Sequence, residues 1–497
     1  MSTKQLVSSS LFSVYGNFAV RFLGIASTAI MARLLAPEDF GLIALAAVVY
    51  ELFVSLGDLG TQKYILKQPE IDNDIYNTTF TFRFINLNLM ALLLIVLSDP
   101  IGRFYDTPVV TELLWIYAVC LSIKSLQNIY FFGFMRDLNY KPIVNVNILV
   151  KILSVAINIG FAFYFQDYRA IIYGVLCSVT LMVLRTYTMK LPVPKFKLQG
   201  LKSNWDFSKW LILEVFVGYI RGKADIMIVG KYFTTSQVGF YEVGKSNGSM
   251  PMQEIYSPLS NIILTALSKN KKQAPNNSNS DVEKGIIALS MILSPIFIGV
   301  FLFMDIFVSL LLGNKWLVAL PIFQSFLTLA YFTSFTQVFS NAFIANDLVK
   351  RFVFFNASLT LLILGIMIVA GEYALSIEAF SFVRAAFVPF ALIINIFYLS
   401  FHIKIKKRLT ILSILTYLCA SIISSVPVYW LIEYILELPR FVNLILTLSV
   451  AVPVYYKVLK LIAQYFSKIF PEFAITTTLI DHLAKTITNK LNKRKTV

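Results

Sequence analysis

Long runs of apolar residues, separated by short polar gaps, fill the chain from residue 9 to residue 463. About fourteen runs reach the length of roughly 20 residues that a helix needs to cross a bilayer. They cover residues 9–35, 40–60, 78–98, 109–131, 143–165, 169–188, 208–230, 238–266, 285–312, 317–344, 351–370, 376–401, 409–432 and 439–463. Lipid offers no partners to an open strand edge, and barrel strands would alternate at every second residue. The pattern therefore predicts an all-α polytopic membrane protein with about fourteen transmembrane helices.

Basic residues are distributed unevenly among the gaps. Alternate gaps are rich in lysine and arginine, most clearly 189–207 and 404–408, whereas the gaps between them hold isolated residues such as Arg33, Arg103 and Arg169. Cytoplasmic loops of membrane proteins carry the excess of basic residues. We therefore expect a multi-pass protein of the bacterial inner membrane with both termini in the cytoplasm.

Two ten-residue segments, Ala32–Gly41 and Gly230–Gly239, share one pattern. Each has a small residue, a basic residue, two apolar or aromatic residues, a short polar turn, and then an apolar residue followed by glycine. The offset covers six runs, so the two copies have the same orientation in the membrane. Parallel repeats of this kind are common in transporters, which bind their substrates between the repeats.

The repeat predicts two six-helix lobes around a central cavity, followed by two further helices. The predicted organisation is an N-terminal lobe at 1–190, a cytoplasmic linker at 191–207, a C-terminal lobe at 208–402, two additional transmembrane helices at 403–465 and a basic cytoplasmic tail at 466–497.

Composition excludes several classes of function. Hydrophobic residues make up 57% of the chain and charged residues 14%, against about 25% charged residues in soluble domains. The net charge of +16 resides mostly in the short gaps, so it indicates orientation in the membrane and not a nucleic-acid partner. The three cysteines and two histidines have no disulfide or metal-ligand spacing. We expect no metal site and no histidine-based catalysis.

Ionisable side chains within the apolar runs are the strongest functional signal, because such groups are costly in hydrocarbon and usually face a cavity. Several lie on polar stripes at helical spacing. Asn17 and Arg21 share one face of the first helix, and Asn147, Lys151 and Asn158 share one face of the fifth. These asparagines are candidates for the polar lining of the cavity.

Seven cations are candidates for binding the substrate in this cavity: Arg21, Arg83, Lys124, Lys151, Arg221, Lys245 and Arg384. Arginine binds phosphate or carboxylate through two hydrogen bonds, and lysine binds them as a point charge. The excess of positive charge therefore predicts an anionic substrate. Two alternatives stay open, since Arg83, Lys124 and Lys245 could extend to the membrane surface, and Arg221 could pair with Asp225.

Five acidic residues accompany these cations: Glu51, Asp58, Glu214, Asp225 and Glu242. They could carry coupling protons or sodium ions, or they could balance the cations. The pattern favours charge balance, because no group of them forms a distinct ion site. We expect no cofactor, and coupling to H⁺ or Na⁺ stays open.

Several motifs resemble those of polysaccharide flippases of the O-antigen and colanic-acid exporter type, a branch of the multidrug/oligosaccharidyl-lipid/polysaccharide exporter superfamily. They are Arg33–Ala44 (RLLAPEDFGLIA), Gly57–Gly60 (GDLG), Phe207–Leu211 (FSKWL), Ala224–Lys245 (ADIMIVGKYFTTSQVGFYEVGK) and Asn341–Lys350 (NAFIANDLVK). The resemblance covers essentially the whole chain and is strongest in the first two helices of each predicted lobe.

The resemblance implies a substrate and a mechanism. The substrate would be an oligosaccharide repeat unit on undecaprenyl pyrophosphate, moved to the outer leaflet by alternating access for the synthesis of O-antigen, capsule or exopolysaccharide. The pyrophosphate would meet the cavity cations. Membrane lipids, a polysaccharide polymerase and chain-length proteins would be partners.

Three other readings remain. A multidrug exporter of the same superfamily would favour acidic cavity residues for its cationic substrates. A lipid II flippase would be expected to have basic cavity residues similar to those predicted here. A membrane polysaccharide polymerase or glycosyltransferase would need a long external loop for its chemistry. None of the predicted outside gaps exceeds about a dozen residues, so we expect a transporter and not an enzyme.

Overall fold

The protein is helical throughout the part of the chain that the structure, a computed structural model, describes. These residues are 3–58, 60–68, 71–273, 278–346, 348–373, 375–403, 405–436, 438–473 and 476, and they contain no strand. Side chains are described for all of these residues except 3–11, 13–15, 207–214, 217, 261–273, 278–280, 344–345 and 349–350. The prediction of an all-α polytopic protein is confirmed.

Contacts between helices divide the chain into two compact units, Met1–Glu242 and Val243–Val497. The first unit contains α1 (Thr3–Leu34), α2 (Pro37–Asp58), α3 (Thr61–Lys67), α4 (Asn73–Phe104), α5 (Pro108–Ser125), α6 (Gly133–Arg136), α7 (Tyr140–Phe165), α8 (Arg169–Tyr187) and α9 (Leu201–Tyr232). The long helix α10 (Thr235–Gln273) begins in this unit and continues into the second.

The second unit contains the remaining helices. They are α11 (Ser278–Leu302), α12 (Met304–Leu311), α13 (Leu320–Ala345), α14 (Val349–Glu372), α15 (Ile377–Ile403), α16 (Lys407–Tyr434) and α17 (Arg440–Phe466). The predicted lobes, linker, additional helices and tail, with boundaries at 190, 207, 402 and 465, were defined by the sequence repeat and not by contacts between helices. This division of the chain therefore stays a prediction.

Eleven helical segments of the described chain are long and apolar enough to cross a membrane. They correspond to α2, α4, α5, α7, α8, α11 and α13–α17. Three further helices, α1, α9 and α10, reach 32, 32 and 39 residues but are more polar. These three carry Arg21, Arg221 and Lys245. Whether all fourteen long helices span the bilayer stays a prediction.

Local sequence explains where several helices begin. Pro37 opens α2, where a missing N–H costs nothing, and Asp39 in the same turn accepts a hydrogen bond from the Ala36 N–H at 2.8 Å. Asp72 precedes α4 and accepts from the Ile75 N–H at 2.8 Å. Pro108 opens α5. Gly60 lies between the end of α2 and the start of α3, and its φ of 66° is a backbone conformation that glycine adopts without strain.

The helix boundaries reproduce the sequence repeat. Helices α1 and α9 both have 32 residues, and Leu34, which ends α1, and Pro37, which starts α2, correspond at one constant offset to Tyr232 and Thr235. Each ten-residue segment therefore forms the turn between an outgoing and an incoming helix, as predicted.

The two copies of the repeat also touch. A Cβ on Gly41 of α2 would lie 1.8 Å from the carbonyl oxygen of Thr235, and a Cβ on Gly239 of α10 would lie 1.8 Å from the carbonyl oxygen of Pro37. These two contacts are equivalent under the repeat. Only glycine permits two helix backbones to approach this closely, which explains why both segments end in glycine.

Residues beyond the last long helix return to the second unit. In the 3₁₀ turn Pro471–Phe473, Phe473 is fully buried and stacks on the Phe466 and Tyr417 rings. Glu472 Oε1 lies 2.5 Å from Lys406 Nζ. Most of the predicted basic tail, residues 474–475 and 477–497, lies outside the described residues.

Candidate functional site

A pocket of about 380 Å³ lies among α1, α5, α7 and α8 of the first unit. Two lysines, Lys124 and Lys151, line it. The other lining residues are Val20, Gln127, Asn147, Val150, Ser178, Val179, Met182 and Val183. The pocket thus combines two positive charges and several hydrogen-bonding groups with an apolar wall, which is the composition expected of an anion-binding site for an amphiphile.

Lys151 projects from α7 toward α1. Its Nζ lies 3.7 Å from the position that a Cβ on Gly24 would occupy, so the small residue in α1 leaves space for the ammonium group. Arg21 lies one turn before Gly24 and is exposed, next to the pocket residue Val20. Helix α1 therefore packs against α7 beside this pocket, with Gly24 of the predicted polar face next to Lys151.

Arg83 of α4 lies behind the pocket and not in its wall, because its side chain is fully buried. Its Nε donates to Asp58 Oδ1 at 2.7 Å, its Nη1 to the Lys124 carbonyl oxygen at 3.1 Å, and its Nη2 to Gln127 Oε1 at 3.2 Å. Asp58 therefore balances a buried cation. The expectation that Arg83 itself contacts substrate does not fit this position, since no surface of it is accessible.

Helix α9 carries a second set of charges. Lys223 Nζ lies 2.9 Å from Glu51 Oε2 of α2, which agrees with a charge-balancing role for Glu51. Asp225 is buried and accepts a hydrogen bond from the Tyr241 hydroxyl at 3.2 Å. Arg221 lies on the same helix and is exposed.

The remaining predicted site residues are distributed over both units. Glu242 of α10 is half-buried in the first unit, while Lys245 of α10 and Arg384 of α15 are half-buried in the second. The Glu214 side chain lies outside the described residues. The structure therefore brings Lys124, Lys151 and Asn147 together in one pocket, and it leaves the roles of the other cations, including Arg21, as predictions.

The three predicted asparagines differ in surroundings. Asn147 lines the pocket, and Asn17 of α1 is exposed. Asn158 packs against α8, where its Oδ1 lies 1.6 Å from the position of a Cβ on Gly174. The amide oxygen therefore packs directly against the glycine, and Asn158 contributes to the contact between α7 and α8.

Sequence reasoning missed the contribution of α8. Ser178 and Met182 line the pocket, but a single serine in an apolar run gives no signal above background. Among the described residues, no three histidine, cysteine or acidic side chains lie close enough together to hold a metal ion.

Two solved structures share the fold of this chain. The lipid II flippase MurJ in its inward closed conformation matches with a TM-score of 0.69 and 13% identity, over 92% of this chain and 99% of MurJ. An inward-facing multidrug resistance MATE family transporter of the MOP superfamily matches with a TM-score of 0.58 and 13% identity, over 78% of this chain and 94% of the transporter.

Curated relatives match at the level of sequence. The succinoglycan biosynthesis transport protein ExoT of Rhizobium meliloti is 20% identical over 315 residues, which are 63% of this chain and 63% of ExoT. The lipopolysaccharide biosynthesis protein WzxC of Escherichia coli is 19% identical over 75% of this chain and 76% of WzxC. The match thus spans just under two thirds of the length of ExoT and about three quarters of WzxC. A family model described as polysaccharide biosynthesis protein matches residues 30–321, more than half of the sequence, and the chain therefore belongs to this family of membrane proteins.

Proposed function

We propose that this protein is a flippase that moves an oligosaccharide repeat unit, linked to undecaprenyl pyrophosphate, across the cytoplasmic membrane by alternating access. The observation that carries the proposal is the pocket containing Lys124 and Lys151. Two ammonium groups in a partly apolar pocket suit a diphosphate attached to a lipid and a sugar.

Family membership and the names of the relatives support this reading. ExoT is described as a transport protein of succinoglycan biosynthesis, and a protein of Haloferax volcanii that is 20% identical is described as a probable glycan biosynthesis flippase. Both names describe transport and not catalysis. The distribution of lysine and arginine further supports an inner-membrane location with both termini in the cytoplasm. A polymerase and chain-length proteins would use the product on the outer side.

To test the proposal, variants of the protein at Lys151 are expressed in a strain from which its gene has been deleted. Lys151→Ala should lower surface polysaccharide at least about tenfold, because the diphosphate loses a charged partner, while Lys151→Arg should retain export. Lys141→Ala is the matched control, since Lys141 lies on the same helix and is exposed. Export that is unchanged in Lys124→Ala, Lys151→Ala and their combination would overturn the proposed site.

A lipid II flippase is the second candidate, because the MurJ fold matches over nearly the whole chain and lipid II carries the same diphosphate. Complementation separates the two. If the chain supports growth of a strain depleted of its lipid II flippase, the second candidate holds, and if it restores only surface polysaccharide, the first holds. A multidrug exporter is less suited to a site with two lysines, since its typical cationic substrates would be repelled.

A further inference from the structure

Gln127 faces the pocket in one defined orientation. It follows the end of α5, its side chain lines the pocket, and its amide oxygen accepts a hydrogen bond from Arg83 Nη2 at 3.2 Å. A primary amide has one acceptor oxygen and a donor NH₂ group. Since the oxygen is directed at Arg83, the NH₂ group remains for the pocket.

The arginine that orients Gln127 is itself fixed from two sides. Asp58 at the end of α2 binds Nε at 2.7 Å, and the Lys124 carbonyl oxygen in the last turn of α5 binds Nη1 at 3.1 Å. Arg83 lies 5.9 Å from the centre of the Phe132 ring and has no exposed surface. The guanidinium therefore cannot rotate freely, and it also holds the backbone that carries Lys124.

We propose that Arg83 is a positioning residue for the anion-binding pocket: it directs the Gln127 amide so that an N–H donor, and not the carbonyl oxygen, faces the diphosphate of the substrate. The inference rests on the proposed function. Arg83 acts on binding through the Gln127 amide, and it does not touch the substrate.

The charge of the network follows from the same geometry. Asp58 cancels the charge of Arg83, so the positive charge that the pocket presents comes from Lys124 and Lys151. An arginine is required, because one planar guanidinium donates in three directions at once, whereas a lysine ammonium on a flexible chain cannot hold three separated acceptors in place.

The test measures binding of undecaprenyl pyrophosphate to the purified full-length protein in detergent. Arg83→Lys and Gln127→Ala should each raise Kd about fivefold to tenfold, as expected for one hydrogen bond to a charged group. The double variant should bind no more weakly than Gln127→Ala alone. Gln127→Glu should raise Kd further, because glutamate keeps the bond to Arg83 but presents a negative charge to the diphosphate.

Arg103→Lys is the control, since Arg103 lies on the same helix and pairs with Asp99 at 2.6 Å on an exposed surface. It should leave Kd unchanged. Should Arg83→Lys fail to fold, the neutral pair Asp58→Asn with Arg83→Gln removes both charges and should raise Kd to the same extent.

The outcomes separate the inference from the function on which it rests. If Lys151→Ala weakens binding while Arg83→Lys and Gln127→Glu do not, the positioning role is wrong and the proposed pocket stands. If the effects of Arg83→Lys and Gln127→Ala simply add, Arg83 acts on stability and not through Gln127, and the inference is wrong. If the wild-type protein does not bind undecaprenyl pyrophosphate, both the proposed function and the inference are wrong.

Discussion

At the scale of single residues, Arg83 is a buried side chain that three hydrogen bonds hold in place. It is fully buried and its nearest compensating charge is Asp58, whose side chain is 37% exposed. A buried cation that loses its partner is strongly destabilising, because the remaining charge has neither water nor a counter-ion. Removing one partner of this pair should therefore cost more stability than removing one partner of the exposed Arg103–Asp99 pair of the same helix.

Asp58→Asn should lower the free energy of unfolding by about 2–3 kcal/mol, somewhat less than for a pair buried on both sides. Asp99→Asn removes the exposed partner of Arg103, and it should change the value by less than about 1 kcal/mol. Thermal unfolding of the two variants in the same detergent measures the difference. Equal effects would mean that the Asp58 pair is no more important than a surface pair.

At the scale of helices, the contact of Gly41 with Gly239 joins α2 to α10 without any side chain. A Cβ at either position would collide with a carbonyl oxygen of the other helix at 1.8 Å. Neither backbone can shift locally, because both belong to regular helices. The helix ends must separate if either glycine is replaced.

Gly41→Ala and Gly239→Ala should each lower stability by about 1–3 kcal/mol, the range for overpacked sites. Gly160→Ala is the matched control. It lies in helix α7 with no atom within 4 Å of an added Cβ, so alanine should be neutral or stabilise by up to about 1 kcal/mol through its higher helix propensity. The measurement is the midpoint of unfolding of each variant, compared with that of the wild type. An unchanged midpoint in Gly41→Ala would contradict the close contact.

The contact between Lys406 and Glu472 ties the last 3₁₀ turn to the start of α16. Burial acts to raise the pKa of Glu472, but the hydrogen bonds from Lys406 and from its own backbone N–H, together with the charges of Lys406 and Lys284, outweigh burial and hold the pKa below its ordinary value. The same hydrogen bond raises the pKa of Lys406. The pair therefore stabilises the fold above pH about 4.5, and its contribution is lost as the pH falls through the lowered pKa of Glu472, or rises through the raised pKa of Lys406.

Glu472→Gln should remove the acid-dependent part of this stability. The effect should be less than about 1 kcal/mol, because Lys406 is 54% exposed and solvent screens the pair. Unfolding curves between pH 3 and pH 7 would show a smaller loss on acidification in the variant. Glu112→Gln, at an exposed position of α5, should leave the pH dependence as it is in the wild type.

At the scale of the whole molecule, the proposed topology rests on the distribution of the basic residues. In a variant whose three cysteines are replaced, a membrane-impermeant thiol reagent should label Arg103→Cys in intact spheroplasts. Lys195→Cys should react only after the membrane is opened, because its gap carries the excess of basic residues. Both side chains are exposed, so accessibility within the protein does not bias the result. The reverse pattern would invert the proposed orientation.

Sequence patterns predicted the helices and the repeat because both depend on local periodicity. They also identified Lys124, Lys151 and Asn147, since each lies on a polar stripe that must face something other than lipid. They could not identify pairs across helices, such as Asp58 with Arg83 or Glu51 with Lys223. Ion-pair partners on different helices depend on how the helices pack. A polar stripe on one helix does not show whether its cation faces a cavity or a carboxylate on a neighbouring helix. The short helices α3, α6 and α12 were missed, because they are too short for a periodic signal.

The glycine contact has a further consequence under the proposed alternating access. In each half a glycine packs directly against a carbonyl oxygen of the other helix, and a Cα–H···O contact in such a position is worth only about 0.5–1 kcal/mol. Neither glycine has a side chain that would have to repack when the two backbones separate. Under the proposed orientation this junction lies at the outer ends of α2 and α10, where a path to the outer leaflet would form. A closure made from two bare backbones can be tight in shape and still open reversibly at small energetic cost.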